Sequence, residues 1–123
     1  MRTRQGVIAA AAIGLTFACA GSAFAQFPGL TDLSADLTDF GETAAVIANL
    51  DLVITVDTAI GHLTGAMGRP VWILLPRTSD WRWLLDRADS PWYPTMKLYR
   101  QQHAGDWAPV FAQMAADLER LLR

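Results

Sequence analysis

The segment Val56-Asp57-Thr58-Ala59-Ile60-Gly61-His62-Leu63 gathers a carboxylate, a hydroxyl, two small residues and an imidazole into a short run. Ahead of it stands Leu52-Val53-Ile54-Thr55-Val56, short and rich in β-branched residues. Such a run fits a strand buried on both faces of a parallel sheet. Behind it, Ile60, Leu63 and Met67 recur at helical spacing. The cluster therefore sits where a parallel strand ends and a helix begins, the edge at which ligands of open α/β sheets bind. Unpaired first-turn amides, reinforced by the helix dipole, attract phosphate there. Thr58, Ala59 and Gly61 are small enough to let a phosphate approach the backbone. His62 follows Thr58 by four residues, on the same helix face, where an imidazole can donate to a diphosphate oxygen. The plainer alternative is that Asp57 only caps the helix and His62 only packs or is solvated, since helix caps are common.

The elements that must hold this cluster are readable around it. Asp39 and Glu42 stand as an N-cap and its reciprocal acid. Phe40, Ala44, Ile47 and Leu50 then give a helical stripe, predicting a helix from about Phe40 to Asn49. Gly68 is placed to close the helix over Ala59 to Met67, and Pro70 prevents its continuation. Val71-Trp72-Ile73-Leu74-Leu75 reads as a second buried strand ended by Pro76. Strand, helix, strand at this spacing predicts parallel pairing through a right-handed crossover. Arg77 to Thr95 is a long aromatic-rich connection, read as helical around Trp81 to Arg87. Met96 to Arg100 is a third, weaker strand. The last helix is expected to be capped by Asp106, with Pro109 in its first turn. Its apolar face runs through Trp107, Val110, Phe111, Met114, Leu118, Leu121 and Leu122. The expected fold class is α/β: a partial Rossmann-like unit with a three-stranded, mainly parallel sheet and flanking helices.

Two further groups fall on the binding edge. Arg77, Thr78 and Ser79 follow the second strand, and Arg77 can meet phosphate as a fork donor; a solvated loop is the alternative. Trp81, Trp83 and Trp92 can stack on a base or sugar, although such aromatics more often cover a core, and packing is the expectation for them.

Composition bounds the rest. The 123 residues are 52% apolar and 18% charged, ordinary globular material for one domain. A net charge of −2 gives no electrostatic footprint for nucleic acid. The single Cys19 excludes an internal disulfide framework and a cysteine-based zinc site, and His62 and His103 are too few for a metal centre. No metal or cofactor is expected, and neither Cys19 nor His103 is given a role. The N-terminus begins with the basic Met1-Arg2-Thr3-Arg4. An uncharged run from Val7 to Ala20 follows, and then Ala23-Phe24-Ala25. That order describes a secretory signal peptide over residues 1–25, with a linker over 26–38. The apolar run falls short of the about 20 residues a membrane span requires. A buried Ala-rich helix or a retained anchor is the alternative. Thr16 and Phe17 argue against lipidation at Cys19. The protein is expected to be exported or periplasmic if the signal is used and cytoplasmic if it is not.

Asp57-Thr58-x-x-x-His62-Leu63, followed by Ala66-Met67-Gly68-Arg69-Pro70-Val71-Trp72, resembles the donor-binding half of GT-B glycosyltransferases of the heptosyltransferase type. The likeness is closer to the carboxyl-terminal glycosyltransferase-like domain that follows tetratricopeptide repeats in many bacterial proteins. Counterparts extend to Asp39-Phe40-x-Glu42-Thr43-Ala44-Ala45, Leu50 to Ile54, Leu74-Leu75-Pro76, Asp80 to Leu85 and Ser90 to Pro94. The resemblance runs from about Leu30 to Arg123 and implies a nucleotide-sugar donor as ligand. By that resemblance the turn at Asp57, Thr58 and Ala59, with His62, contacts the donor's diphosphate. Heptosyltransferases usually carry Gly where this chain has Ala59. The family's acceptor domain, which usually supplies the catalytic base, has no counterpart here, and no catalytic residue is assigned. About three strands stand where a complete donor domain has around six. The expected role is therefore a nucleotide-sugar-binding fragment that does not catalyse alone. A different class of reading is an exported, non-catalytic interaction module that pairs with a second copy through the uncovered edge of the Leu52–Val56 strand. A third is a decayed reading frame.

Overall fold

The structure, a computed structural model, describes Gly29 and residues 31–123. The expected signal segment, and residues 26–28 and 30 of the expected linker, lie outside these residues. Element numbers below follow chain order over the described part.

Helix α1 (Phe40–Ala48) begins as the sequence predicts: the Asp39 carboxylate accepts from the Glu42 amide at 2.8 Å. Its stripe is shifted from the expected one. Thr43 and Ile47 are buried, whereas Phe40 is exposed. Strand β1 (Val53–Val56) leads into helix α2 (Ala59–Ala66), which ends at Gly68 in the left-handed region at φ +66°. Strand β2 (Val71–Leu75) follows, then a 3-10 turn (Trp81–Trp83), strand β3 (Met96–Arg100) and helix α3 (Ala108–Leu121).

The sheet runs β1-β2-β3 with every neighbouring pair parallel. Val53 lies opposite Val71, and Val71 opposite Met96. All three carboxyl ends thus share one edge. β2 is central, and all five of its residues are buried. Its alternation divides the core in two. Val71, Ile73 and Leu75 pack under Ile47, Leu50 and Ile60 with Met96 and Leu98. Trp72 and Leu74 face the other way, against Leu52, Tyr99 and Val110. The result is an α/β unit with α1 and α2 on one face and α3 on the other, as the doubly apolar strands require.

Several expectations are corrected. Trp81 to Arg87 is not a helix: only the Trp81–Trp83 turn forms, because Leu84 and Asp86 take positive φ of 52° and 56°. Asp106 does not cap α3. The cap is Trp107, whose side chain makes no capping bond, and Pro109 removes one of the amides a cap would serve. The apolar face of α3 is only partly used: Val110 is buried, while Phe111, Leu121 and Leu122 are exposed. β1 is not buried on both faces along its length, since it is the edge strand of the described sheet and Val56 is exposed. Gly61 has a packing reason for its size. A Cβ there would stand 2.5 Å from the Ile73 Cδ1, so its smallness lets α2 sit close on the sheet.

Candidate functional site

The turn from β1 into α2 leaves backbone donors unclaimed. Thr58 is the N-cap of α2, in extended conformation, yet its side chain makes no capping bond. Its hydroxyl pairs instead with the Thr55 hydroxyl at 3.2 Å. The Gly61 amide already donates to the Thr58 carbonyl, but no described carbonyl accepts from the amides of Ala59 or Ile60. Most N-caps of this residue type would satisfy such a donor themselves. Here the first two amides of α2 have no described hydrogen-bond partner.

Those donors lie in the wall of a concavity of about 460 Å³, lined by Thr58, Ala59 and Ile60 on one side and by Leu37, Thr38, Asp39, Phe40 and Thr43 on the other. The second wall was not expected from sequence. Its exposed Phe40, at the start of a helix that would otherwise bury it, is the signal that could have revealed it. Asp39 is not a free charge in this wall, because its carboxylate is committed to the Glu42 amide.

Asp57 and His62 are brought together. The Asp57 carboxylate is 3.9 Å from the His62 Nε2. Asp57 does not cap the helix, and its charge points outward beside the helix start. His62 is fixed from two other sides. Its ring stacks on Trp83 with centroids 5.1 Å apart, and its Nδ1 is 3.1 Å from the Tyr93 hydroxyl. Tyr93 is itself locked against α2 at Gly65, where a Cβ would come within 2.6 Å of its ring. An imidazole held through Nδ1 and one face keeps Nε2 as its working nitrogen.

The tryptophans divide into two roles. Trp83 is buried and forms the floor under His62, as packing would have it. Trp81 and Trp92 are 67% and 55% exposed and meet at right angles.

Arg77 lies on the same sheet edge but in another concavity, of about 370 Å³, lined also by Asp86, Arg87, Arg100, Gln102 and Gln113. Its amide donates to the Gln101 side-chain oxygen. Arg87 is paired with Asp89, and Arg100 is spent on Ser79 and on the carbonyls of Trp83 and Leu84. Partial burial, and then the charge of Arg77, lower the Arg100 pKa from its ordinary value. The structure thus places Thr58 and Ala59 in one concavity, His62 beside Asp57 and the aromatic residues, and Arg77 in a separate recess. Among the described residues, no group of three His, Cys, Asp or Glu side chains converges as a metal site. No described helix is long and apolar enough to cross a membrane.

Comparison with known proteins gives two matches. The model of glycosyltransferase family 9 (heptosyltransferase) matches residues 23–108. Protein FlbA of Caulobacter vibrioides is 37% identical over 87 residues, which is 71% of this chain and 14% of that protein. The chain therefore spans about one-seventh of the length of this curated relative. No solved structure matches the chain.

Proposed function

The chain belongs to glycosyltransferase family 9 (heptosyltransferase), and from that premise we propose that its sheet edge binds a nucleotide-sugar donor through the diphosphate. The observation that carries this reading is the uncapped start of α2. The amides of Ala59 and Ile60 have no described carbonyl partner, the N-cap hydroxyl is turned away to Thr55, and the concavity before them is roomy. A diphosphate supplies the acceptors that this turn lacks. Thr58 and Ala59 form the backbone cradle. His62 donates from Nε2 to a phosphate oxygen, while Asp57, close beside it, accepts from donor hydroxyls. Arg77 adds a cation on the same edge.

The described sheet holds three strands, and no residue in it is assigned as catalytic base. We therefore infer donor binding without turnover for this stretch of chain by itself. The test is titration of the isotope-labelled chain with UDP, GDP and ADP sugars, followed by amide NMR. Shifts confined to Thr58 through His62 and the residues opposite them support the reading. No shift there at millimolar ligand ends it.

Among the described residues the outer edge of β1 has no strand partner, which favours a second reading in which two copies pair through that strand. Ile54 is only partly buried and Val56 is exposed on it. Light scattering decides this one: a concentration-independent monomer removes it.

A further inference from the structure

Trp81 and Trp92 are large aromatic side chains left exposed, and both make defined polar or aromatic contacts. Trp92 donates its indole N–H to the Arg82 carbonyl at 2.9 Å. The Arg82 guanidinium lies 5.1 Å from the Trp81 ring centroid and is tied to Asp80 at 2.8 Å. The two indoles stand 6.4 Å apart at 89°, forming an open corner. With His62, Arg82 and Tyr93 they line a recess of about 260 Å³. That is below the roughly 300–1,000 Å³ of pockets that take a whole drug-sized ligand, so it has room for one ring and not for a nucleotide-sugar.

The recess is lined by His62, which lies about one helical turn along α2 from the Thr58 and Ala59 that line the other concavity. It combines an aromatic corner with a fork-shaped donor, Arg82. Apolar faces flanked by paired hydrogen-bonding groups are what a pyranose ring presents in complement: C–H faces ringed by hydroxyls. A phosphate would not seek indole faces, and a protein side chain would not call for a small recess set against His62.

We propose that the Trp81–Trp92 corner is a saccharide-ring subsite, which takes the sugar of the donor while its diphosphate lies at the start of α2. This location of the sugar rests on the donor-binding reading above. The ring-stacking chemistry of the corner itself does not. Trp92 and Trp81 supply the stacking walls, and Arg82 donates to hydroxyls. Trp83, beneath His62, is not part of the corner.

The indole N–H signals of the full chain read this directly. UDP-glucose, GDP-mannose and ADP-glucose are titrated against the matching diphosphates UDP, GDP and ADP, with free glucose and mannose as a further arm. The expected result is that the sugar nucleotides shift the Trp81 and Trp92 indoles together with the Ala59 and His62 amides, while the plain diphosphates shift only the amides. Trp81→Ala and Trp92→Ala, both at exposed positions, should weaken the sugar nucleotides by roughly three- to tenfold and leave the diphosphates unchanged. Amide shifts without indole shifts overturn the subsite and leave donor binding standing. Indole shifts with free sugars, but none of the amides with any nucleotide, support the subsite and end the donor reading. Silence in every arm overturns both.

Discussion

Replacing Gly65 by Ala should loosen the clamp on His62 and cost stability, although the change usually favours a helix. Gly65 lies within α2, and a Cβ on it would stand 2.6 Å from the Tyr93 Cγ and 2.9 Å from the Tyr93 Cβ. The second distance matters most. A side-chain tip can swing away, but a Cβ moves only with its backbone. Overpacking of this kind costs about 1–3 kcal/mol. The helix gains back up to about 1 kcal/mol from losing a glycine. The net expectation is a destabilisation centred near 1 kcal/mol and reaching about 2, or a fall in Tm of roughly 4–8 °C per kcal/mol for a domain of this size. Because Tyr93 holds the His62 Nδ1, its displacement should also change the His62 ring-nitrogen shifts. The assay is thermal unfolding by circular dichroism with nitrogen-detected NMR of the imidazole. A double-mutant cycle isolates the cause: in a Tyr93→Gly background, which removes both the ring and the Cβ, the same Gly65→Ala change should be neutral or stabilising. Equal effects in both backgrounds, or a more stable single variant with unchanged His62 signals, would refute the reasoning.

Gly68→Ala should cost about 1–2 kcal/mol for a different reason, its φ of +66°, with open space around the new methyl and no change at His62 in the same spectra. Asp117 carries the acid sensitivity of α3. Its carboxylate accepts from Lys97 at 2.6 Å and from the Tyr99 hydroxyl at 3.0 Å, and these bonds lower its pKa. A lowered pKa contributes stability above the unfolded value of about 3.9 that is lost as pH falls through the folded value. Tm measured from pH 6 to 2.5 should therefore fall more steeply for the native chain than for Asp117→Asn; parallel curves would contradict this. Burial, with help from Asp117, raises the Tyr99 pKa, so its phenolate should appear in alkaline difference spectra only together with unfolding.

Much of the fold was legible because its signals are local. β2 is apolar at every position, and only a strand covered on both faces tolerates that. Asp39 and Gly68 announced a helix start and a helix end through their own backbone chemistry. The misreadings came from tertiary facts. Leu84 and Asp86 break the aromatic connection by adopting positive φ, to which no local residue preference pointed. Trp107 displaces Asp106 as the cap of α3. The site was legible in part for the same reason. Asp57, Thr58, Ala59 and His62 are contiguous, so a strand-to-helix turn was enough to group them. The Trp83 floor, the Tyr93 tether and the wall from Leu37 to Thr43 come from other stretches of chain, and only the packed structure brings them to the turn. Gly61 looked like part of a phosphate cradle, but the sheet beneath it gives a sufficient reason for its size.

If the first-turn amides of α2 hold the donor's phosphates, Ala59→Pro should weaken donor binding. Ala59 is the first residue of α2, where proline is favoured, and Thr58 before it is already extended, at φ −142° and ψ 169°. The substitution removes one unclaimed N–H and should leave the fold intact. Titration calorimetry with UDP-glucose, GDP-mannose and ADP-glucose should show the best ligand of the native chain weakened by roughly tenfold or more in the variant, as loss of a hydrogen bond to a charged group requires. A folded Ala59→Pro protein that binds the same ligand with native affinity would contradict the account.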